Sequence, residues 1–374
     1  MTNSSDQNPD NGVFAWQFPN ADREKAWRHY SYGEERWWGD FGRELPVPAD
    51  PFEAKPWSMG PFEKYSGNPV FAPDPGSWDC GRYDGGVHNG ATVVHQNRFW
   101  YVYRGERPID IPQKGPVDYI CDIGIAVSDD GVNFERVRDY SPLFRTGTNR
   151  QYSYEDVNLV EHKGVFYLFC NQWFWENMAD TSINGTFLAT STDLLHWQRH
   201  GIVFPNAAQI HRNAVVLQNP QNEAVKVNGR FWMYINDGII ATSEDMIHWI
   251  SEAGAHHWPG GEGCFAMADH NPERPDDIVL FTGGNHTGHF YAIGEVLLSK
   301  ADPTMPLDWL GAPALHAETT IPHENGRNAE PPYEPISSFA DCIFFNGLTR
   351  YNGKWWLYYG GSEFYTCLAT ANAR

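Results

Sequence analysis

One aromatic strand pattern returns along this chain from its first third to its end. Trp355-Trp356-Leu357-Tyr358-Tyr359-Gly360 repeats the pattern of Phe99-Trp100-Tyr101-Val102-Tyr103-Arg104-Gly105. Further copies are Phe166-Tyr167-Leu168-Phe169, Phe231-Trp232-Met233-Tyr234 and, more weakly, Ile278-Val279-Leu280-Phe281. A period of roughly 50 to 75 residues built from short strands is the mark of a propeller, so five copies predict an all-β, five-bladed β-propeller. We read each aromatic run as the innermost strand of its blade. A second repeated piece is a small-residue strand entering a polar turn: Ala126-Val127-Ser128-Asp129-Asp130-Gly131, Ala189-Thr190-Ser191-Thr192-Asp193-Leu194 and Ala241-Thr242-Ser243-Glu244-Asp245-Met246. Its Ser and Asp side chains are expected to bond the turn backbone, and the Phe134, Trp197 or Trp249 that follows is expected to fill the gap between blades.

The propeller is expected over residues 66–374. Residues 1–65 carry no strand pattern and read as a disordered tip followed by an irregular arm, which offers a surface for a homo-oligomer. With 16 Trp, 22 Phe and 18 Tyr the core is amply supplied, with rings to spare for stacking on sugar faces. A net charge of −20 opposes nucleic acid and anionic membrane partners and suits a small neutral carbohydrate. Six cysteines without a CxxC pair read as buried free thiols, and the polar start has no apolar leader core, so a cytoplasmic location is expected. No phosphate-cradling Gly loop, nucleophile elbow or Cys/His zinc pattern occurs, so no cofactor and no metal are expected. His286, His289, His256 and His257 read as sugar-bonding or structural residues.

In a propeller, polar residues early in the inner strands point into a shared funnel. The candidates are Asp84, His88 and Asn89 in blade one, Glu155 and Asp156 in blade two, and Arg212, Asn213 and Glu223 in blade three. Glu262 and Asp269 follow in blade four, with Asp341 and Glu363 in blade five. Carboxylates converging from several blades suit glycoside cleavage, in which one donates a proton to the leaving oxygen and another activates water or attacks the anomeric carbon.

These residues resemble the five-bladed propeller glycosidases, most closely glycoside hydrolase family 130, the mannoside phosphorylases and mannosidases. The resemblance runs from about Asn68 to the C-terminus. It is carried by Asn89-Gly90-Ala91, Tyr103-Arg104, Glu155-Asp156, Arg212-Asn213-Ala214, the run from Cys342 to Gly347, and Tyr358-Tyr359-Gly360-Gly361. It implies Asp156 as the general acid, with Arg104, Asn89 and Glu363 on sugar hydroxyls. Arg212 takes the place of a phosphate-holding lysine. Val157-Asn158 stands where the family's acidic motif continues to an arginine, and Ile235-Asn236-Asp237 where a His-Arg pair is expected. With fewer cations for an anionic nucleophile, the expectation is an exo-acting glycoside hydrolase on a neutral oligosaccharide, with Glu262 or Glu223 activating water. A phosphorylase releasing a sugar 1-phosphate and a non-catalytic carbohydrate-binding propeller are the alternatives. Glu262-Gly263-Cys264 with Tyr291-Ala292-Ile293-Gly294 is more loosely similar to fructofuranosidase-type propellers, which implies Glu262 as the acid and Asp84 as the nucleophile.

Overall fold

Strands dominate a computed structural model that describes residues 52–74, 77–79, 86–108, 119–145, 152–174, 177, 179–207, 210–251, 258, 261–286, 289–318, 320–326 and 341–373. The first strand, β1 (Glu63–Lys64), is followed by blade one: β2 (Val87–His95), β3 (Arg98–Pro108), β4 (Tyr119–Ser128) and β5 (Glu135–Arg136). Blade two holds β6 (Ser153–His162), β7 (Val165–Trp173), β8 (Gly185–Ser191) and β9 (Gln198–Ile202). Blade three holds β10 (Val215–Val216), β11 (Phe231–Tyr234), β12 (Ile240–Ser243) and β13 (Trp249–Ser251). Blade four holds β14 (Glu262–Ala268), β15 (Asp277–His286), β16 (His289–Ser299) and β17 (Pro306–Trp309). Blade five holds β18 (Ile343–Tyr351), β19 (Lys354–Gly361), β20 (Tyr365–Asn372) and, on its outer edge, β1. All five are four-stranded antiparallel sheets, so the expected five-bladed propeller is the fold.

The blades are shifted by one strand from the sequence-based reading. The aromatic runs form β3, β7, β11, β15 and β19, the second strand of each blade. The innermost strands are β2, β6, β10, β14 and β18, which pack on one another in a closed ring. Strands crowd as they near the axis: a Cβ on Gly347 of β18 would lie 2.7 Å from the Thr92 backbone nitrogen of β2. The second strands carry most of the large rings, although β14 and β18 also bury Phe265, Phe344 and Phe345. Rings on the second strands make edge-on contacts, such as Phe169 with Trp249 at 6.0 Å between blades two and three.

The polar turns form as expected. Asp130 accepts backbone N–H bonds from Val132 and Asn133, Asp193 from Leu195 and His196, and Asp245 from Ile247 and His248. Gly131 takes the left-handed position of the first turn at φ 79°, but Leu194 (φ 65°) and Met246 (φ 70°) take it in the other two. Both side chains are fully buried, so core packing holds a backbone conformation that Leu and Met do not favour. The five described cysteines, Cys121, Cys170, Cys264, Cys342 and Cys367, are buried and free. No helix among the described residues is long and apolar enough to cross a membrane.

The ring closes by pairing the two ends of the described chain. Glu63 and Lys64, within the stretch expected as an arm, pair with Thr370 and Ala369 of β20. Residues 1–51 of that stretch lie outside the described residues. Lys64 Nζ lies 2.7 Å from Glu324, a fully buried carboxylate in the short helix α1 (Pro322–Asn325) that also accepts a 2.7 Å bond from the Tyr359 hydroxyl. Removing one partner of a buried pair strands the other charge. Lys64→Met is therefore expected to cost about 3 kcal/mol of stability, read from the urea midpoint, and an unchanged midpoint would contradict the closure.

Candidate active site

The inner strands do not run straight to the axis. Pairing shifts register between His88 and Ala91 in β2, between Glu155 and Asn158 in β6, between Gly263 and Phe265 in β14 and between Phe345 and Gly347 in β18. Such bulges bend a strand and re-aim its side chains. The polar residues at these points adopt left-handed backbone: Asn89 (φ 43°), Asp156 (φ 50°) and, just ahead of β10, Asn213 (φ 52°). Asn and Asp tolerate this region better than other side-chain-bearing residues, which is why they occur here.

Across the axis these residues form one bonded chain. Asn89 Nδ2 donates to Asp156 Oδ1 at 3.0 Å, and Asn171 Nδ2 to Asp156 Oδ2 at 2.7 Å. Asn171 Oδ1 accepts from the Asn213 backbone N–H at 2.9 Å, and Asn213 Nδ2 donates to Glu262 Oε2 at 2.7 Å. The Tyr291 hydroxyl donates to Glu262 Oε1 at 3.3 Å, and Arg212 Nη2 lies 3.7 Å from the same oxygen. Blades one to four thus tie two carboxylates, Asp156 and Glu262, into a single network. Asn236 holds the backbone of Arg212 in turn, accepting its N–H at 3.2 Å and donating to its carbonyl at 3.1 Å.

A charged cluster adjoins Asp156. Arg104 Nη1 is 3.8 Å from Asp156 Oδ1, and its Nη2 is 3.8 Å from Glu155 and 2.6 Å from Glu106. His88 Nε2 is 3.3 Å from the same Glu106 oxygen. Burial raises the Glu155 carboxyl against the pull of Arg104, and the charges of Asp156 and Glu106 add to the rise. Glu363 lies in the turn between β19 and β20, where Ser362 and Glu363 both sit at φ 52°. Two consecutive left-handed residues make the tight hairpin geometry that usually takes Asn or Gly. Bonds from the Ser362 N–H to the Cys342 carbonyl (2.8 Å) and from the Phe364 N–H to the Gly361 carbonyl (3.0 Å) hold it. Burial pushes the Glu363 carboxyl up to about 7; Arg104 and His88 oppose the rise, while Glu106 and Asp156 reinforce it.

Of the residues expected at the site, Asp156, Glu262, Asn89, His88, Arg104, Arg212 and Glu363 come together. Asp341 is buried at the head of β18 in left-handed backbone (φ 57°). Asp84 lies outside the described residues, as do His256, His257 and the side chains of His286 and His289. Glu223 is corrected: it is exposed, bonded by Asn219, and bridged to Glu161 near the far end of β6. Glu161 is five residues from Asp156, roughly 17 Å along an extended strand, so Glu223 belongs to the opposite face. Glu106 and Asn171 escaped the reading because both follow the aromatic run on β3 and β7, whereas candidates were sought before or early in each run. Their signal is a polar residue ending an aromatic run: Arg104-Gly105-Glu106 in one blade and Cys170-Asn171-Gln172 in the next.

No family model matches the chain. It is 25% identical over 291 residues to a 1,2-β-oligomannan phosphorylase of Thermoanaerobacter sp. (strain X514), covering 74% of this chain and 86% of that protein. A β-1,2-mannobiose phosphorylase of the same organism is 23% identical over 289 residues, covering 74% and 87%. Among solved structures, the fold matches one from a study of glycoside hydrolases in the GH130 family of mannoside phosphorylases, which target β-1,2 mannosidic linkages in Candida mannan. The TM-score is 0.69 at 23% identity, over 86% of this chain and 96% of that one. The β-1,2-mannobiose phosphorylase of Listeria innocua matches at TM-score 0.62 and 16% identity, over 83% and 97%. The likeness to mannoside phosphorylases is found by sequence, and the solved structures share the fold; the similarity to fructofuranosidase-type propellers finds only weak support.

The Glu363 carboxyl carries a stability signature. Folding raises its pKa above the ordinary 4.5, so the stability it contributes is present below that pH and is lost as pH rises through about 7. Glu363→Gln is expected to flatten this fall, measured by urea denaturation across the window. A slope equal to that of the unaltered protein would contradict the assignment.

Proposed function

We propose that this chain is a glycoside phosphorylase of glycoside hydrolase family 130, removing terminal units from β-1,2-linked mannosides by transfer to inorganic phosphate. The observation that carries the reading is Asp156, held between Asn89 and Asn171 and bonded through Asn213 to Glu262, with Arg212 beside the second carboxylate. Glycosyl transfer needs a proton donor on one side of the sugar and a held nucleophile on the other. Asp156 gives its proton to the leaving glycosidic oxygen as the bond to the anomeric carbon breaks. A phosphate oxygen, steadied by Arg212, forms the new bond to that carbon. The products are a sugar 1-phosphate and a glycan shortened by one unit. Asn89, Arg104 and Glu363 bind sugar hydroxyls. The two phosphorylases similar in sequence favour phosphate over water as the acceptor. Buried free thiols fit a reducing, cytoplasmic compartment.

Hydrolysis is the second reading. It is favoured by the nearness of Glu262 to Arg212, which takes up positive charge that an incoming phosphate would need. In that reaction Glu262 takes a proton from water as the water attacks. Incubation with β-1,2-mannobiose, with and without inorganic phosphate, separates the two. Mannose 1-phosphate formed only with phosphate is the expected outcome; free mannose at a rate indifferent to phosphate establishes hydrolysis. Calorimetric binding without any turnover would leave a carbohydrate-binding propeller. Asp156→Asn is expected to lower kcat at least about 100-fold, the usual worth of a positioned proton donor, and full activity in this variant would remove the assignment.

A further inference from the structure

We propose that Glu106 is a positioning residue of this site, one that fixes the Arg104 guanidinium against Glu155 and Asp156 and holds the His88 ring in a single orientation. The inference rests on the glycoside-cleaving reading above and adds a residue that the proposed reaction does not itself require. Arg104 and Glu106 are two residues apart on β3, so the strand sends both side chains to one face. Glu106 is fully buried, which keeps it from touching a sugar and leaves its neighbours as its means of action.

Those contacts fix Arg104 along two edges. Nη2 meets Glu106 Oε1 at 2.6 Å, and Nε donates to Cys121 Sγ at 3.1 Å. Cys121 is itself held through its backbone N–H, which donates to Ser153 Oγ at 3.0 Å. Burial pushes its thiol well above the ordinary range, so the sulfur is a neutral acceptor for Arg104. Its S–H is 3.9 Å from both Glu106 and Glu155. A planar guanidinium gripped on two edges cannot rotate, and the grip sets the 3.8 Å approach of Nη1 to Asp156. On the other side, a carboxylate facing His88 Nε2 keeps the ring proton on that nitrogen. The charge of Glu106 also acts on Glu363, helping that carboxyl keep its proton against the pull of Arg104 and His88.

A double-mutant cycle and a titration test this. Glu106→Gln is expected to lower kcat/KM for mannoside cleavage about 10- to 100-fold, the usual cost of losing a partner that orients a site residue. Glu106→Asp, which keeps the charge, is expected to recover part of that loss. The Glu106→Gln, Arg104→Gln double variant is expected to lose clearly less than the two single losses combined, because the share of the effect that passes through Arg104 is already gone. Independently of turnover, carboxyl carbon-13 NMR is expected to show Glu363 titrating at lower pH in Glu106→Gln. Additive losses, or a Glu363 titration identical to that of the unaltered protein, overturn the proposal. Absence of activity on every mannoside in the unaltered protein refutes the functional reading by itself, and the titration then decides the role of Glu106 alone.

Discussion

Five inner strands converge on one axis, and the space they leave governs the rest of the molecule. Near that axis buried polar groups need hydrogen-bond partners, and several find them on a neighbouring blade. Asparagine meets the need well, because its amide both donates and accepts. Asn171 donates to Asp156 and accepts from Asn213, and Asn213 carries the chain on to Glu262. The bonds that tie blade to blade are therefore the same bonds that orient the two carboxylates. Stability of the ring and geometry of the site are not separable properties here.

Charge sets the second constraint. Asp156, Glu155, Glu106 and Glu363 surround a single guanidinium and a histidine. Four carboxylates cannot all ionise cheaply in a buried cluster, and burial with mutual repulsion raises Glu155 and Glu363. Glu363, raised to about 7, thus keeps its proton toward neutral pH. Arg212 faces Glu262 at the other end of the asparagine chain, and its charge also reaches Glu155.

The fold was largely legible before the structure. The aromatic repeat counts the blades, and the Ser and Asp turns recur with the same bond from the Asp N–H to the Ser hydroxyl in blades one, two and three. The site was legible in part. Asn89, Asp156 and Glu262 stand early in strands that face the axis, and their polarity within apolar sequence marks them. Glu223 misled because nearness to an aromatic run says nothing about which end of a strand a residue occupies. Glu106 was missed for the complementary reason, since its strand was read for its rings and not for the charges at its end.

The amino-acid sequence by itself determined the number of blades, the chemistry of their turns and the supply of carboxylates, because each depends on local spacing that the backbone period enforces. Tertiary structure decided which strand of each blade lines the axis, since only the packing of β2, β6, β10, β14 and β18 against one another shows that the aromatic runs lie one strand outward. It also decided which acids meet. Asp156 and Glu262 are far apart in the chain and join through two asparagines whose bonds exist only once the blades close into a ring.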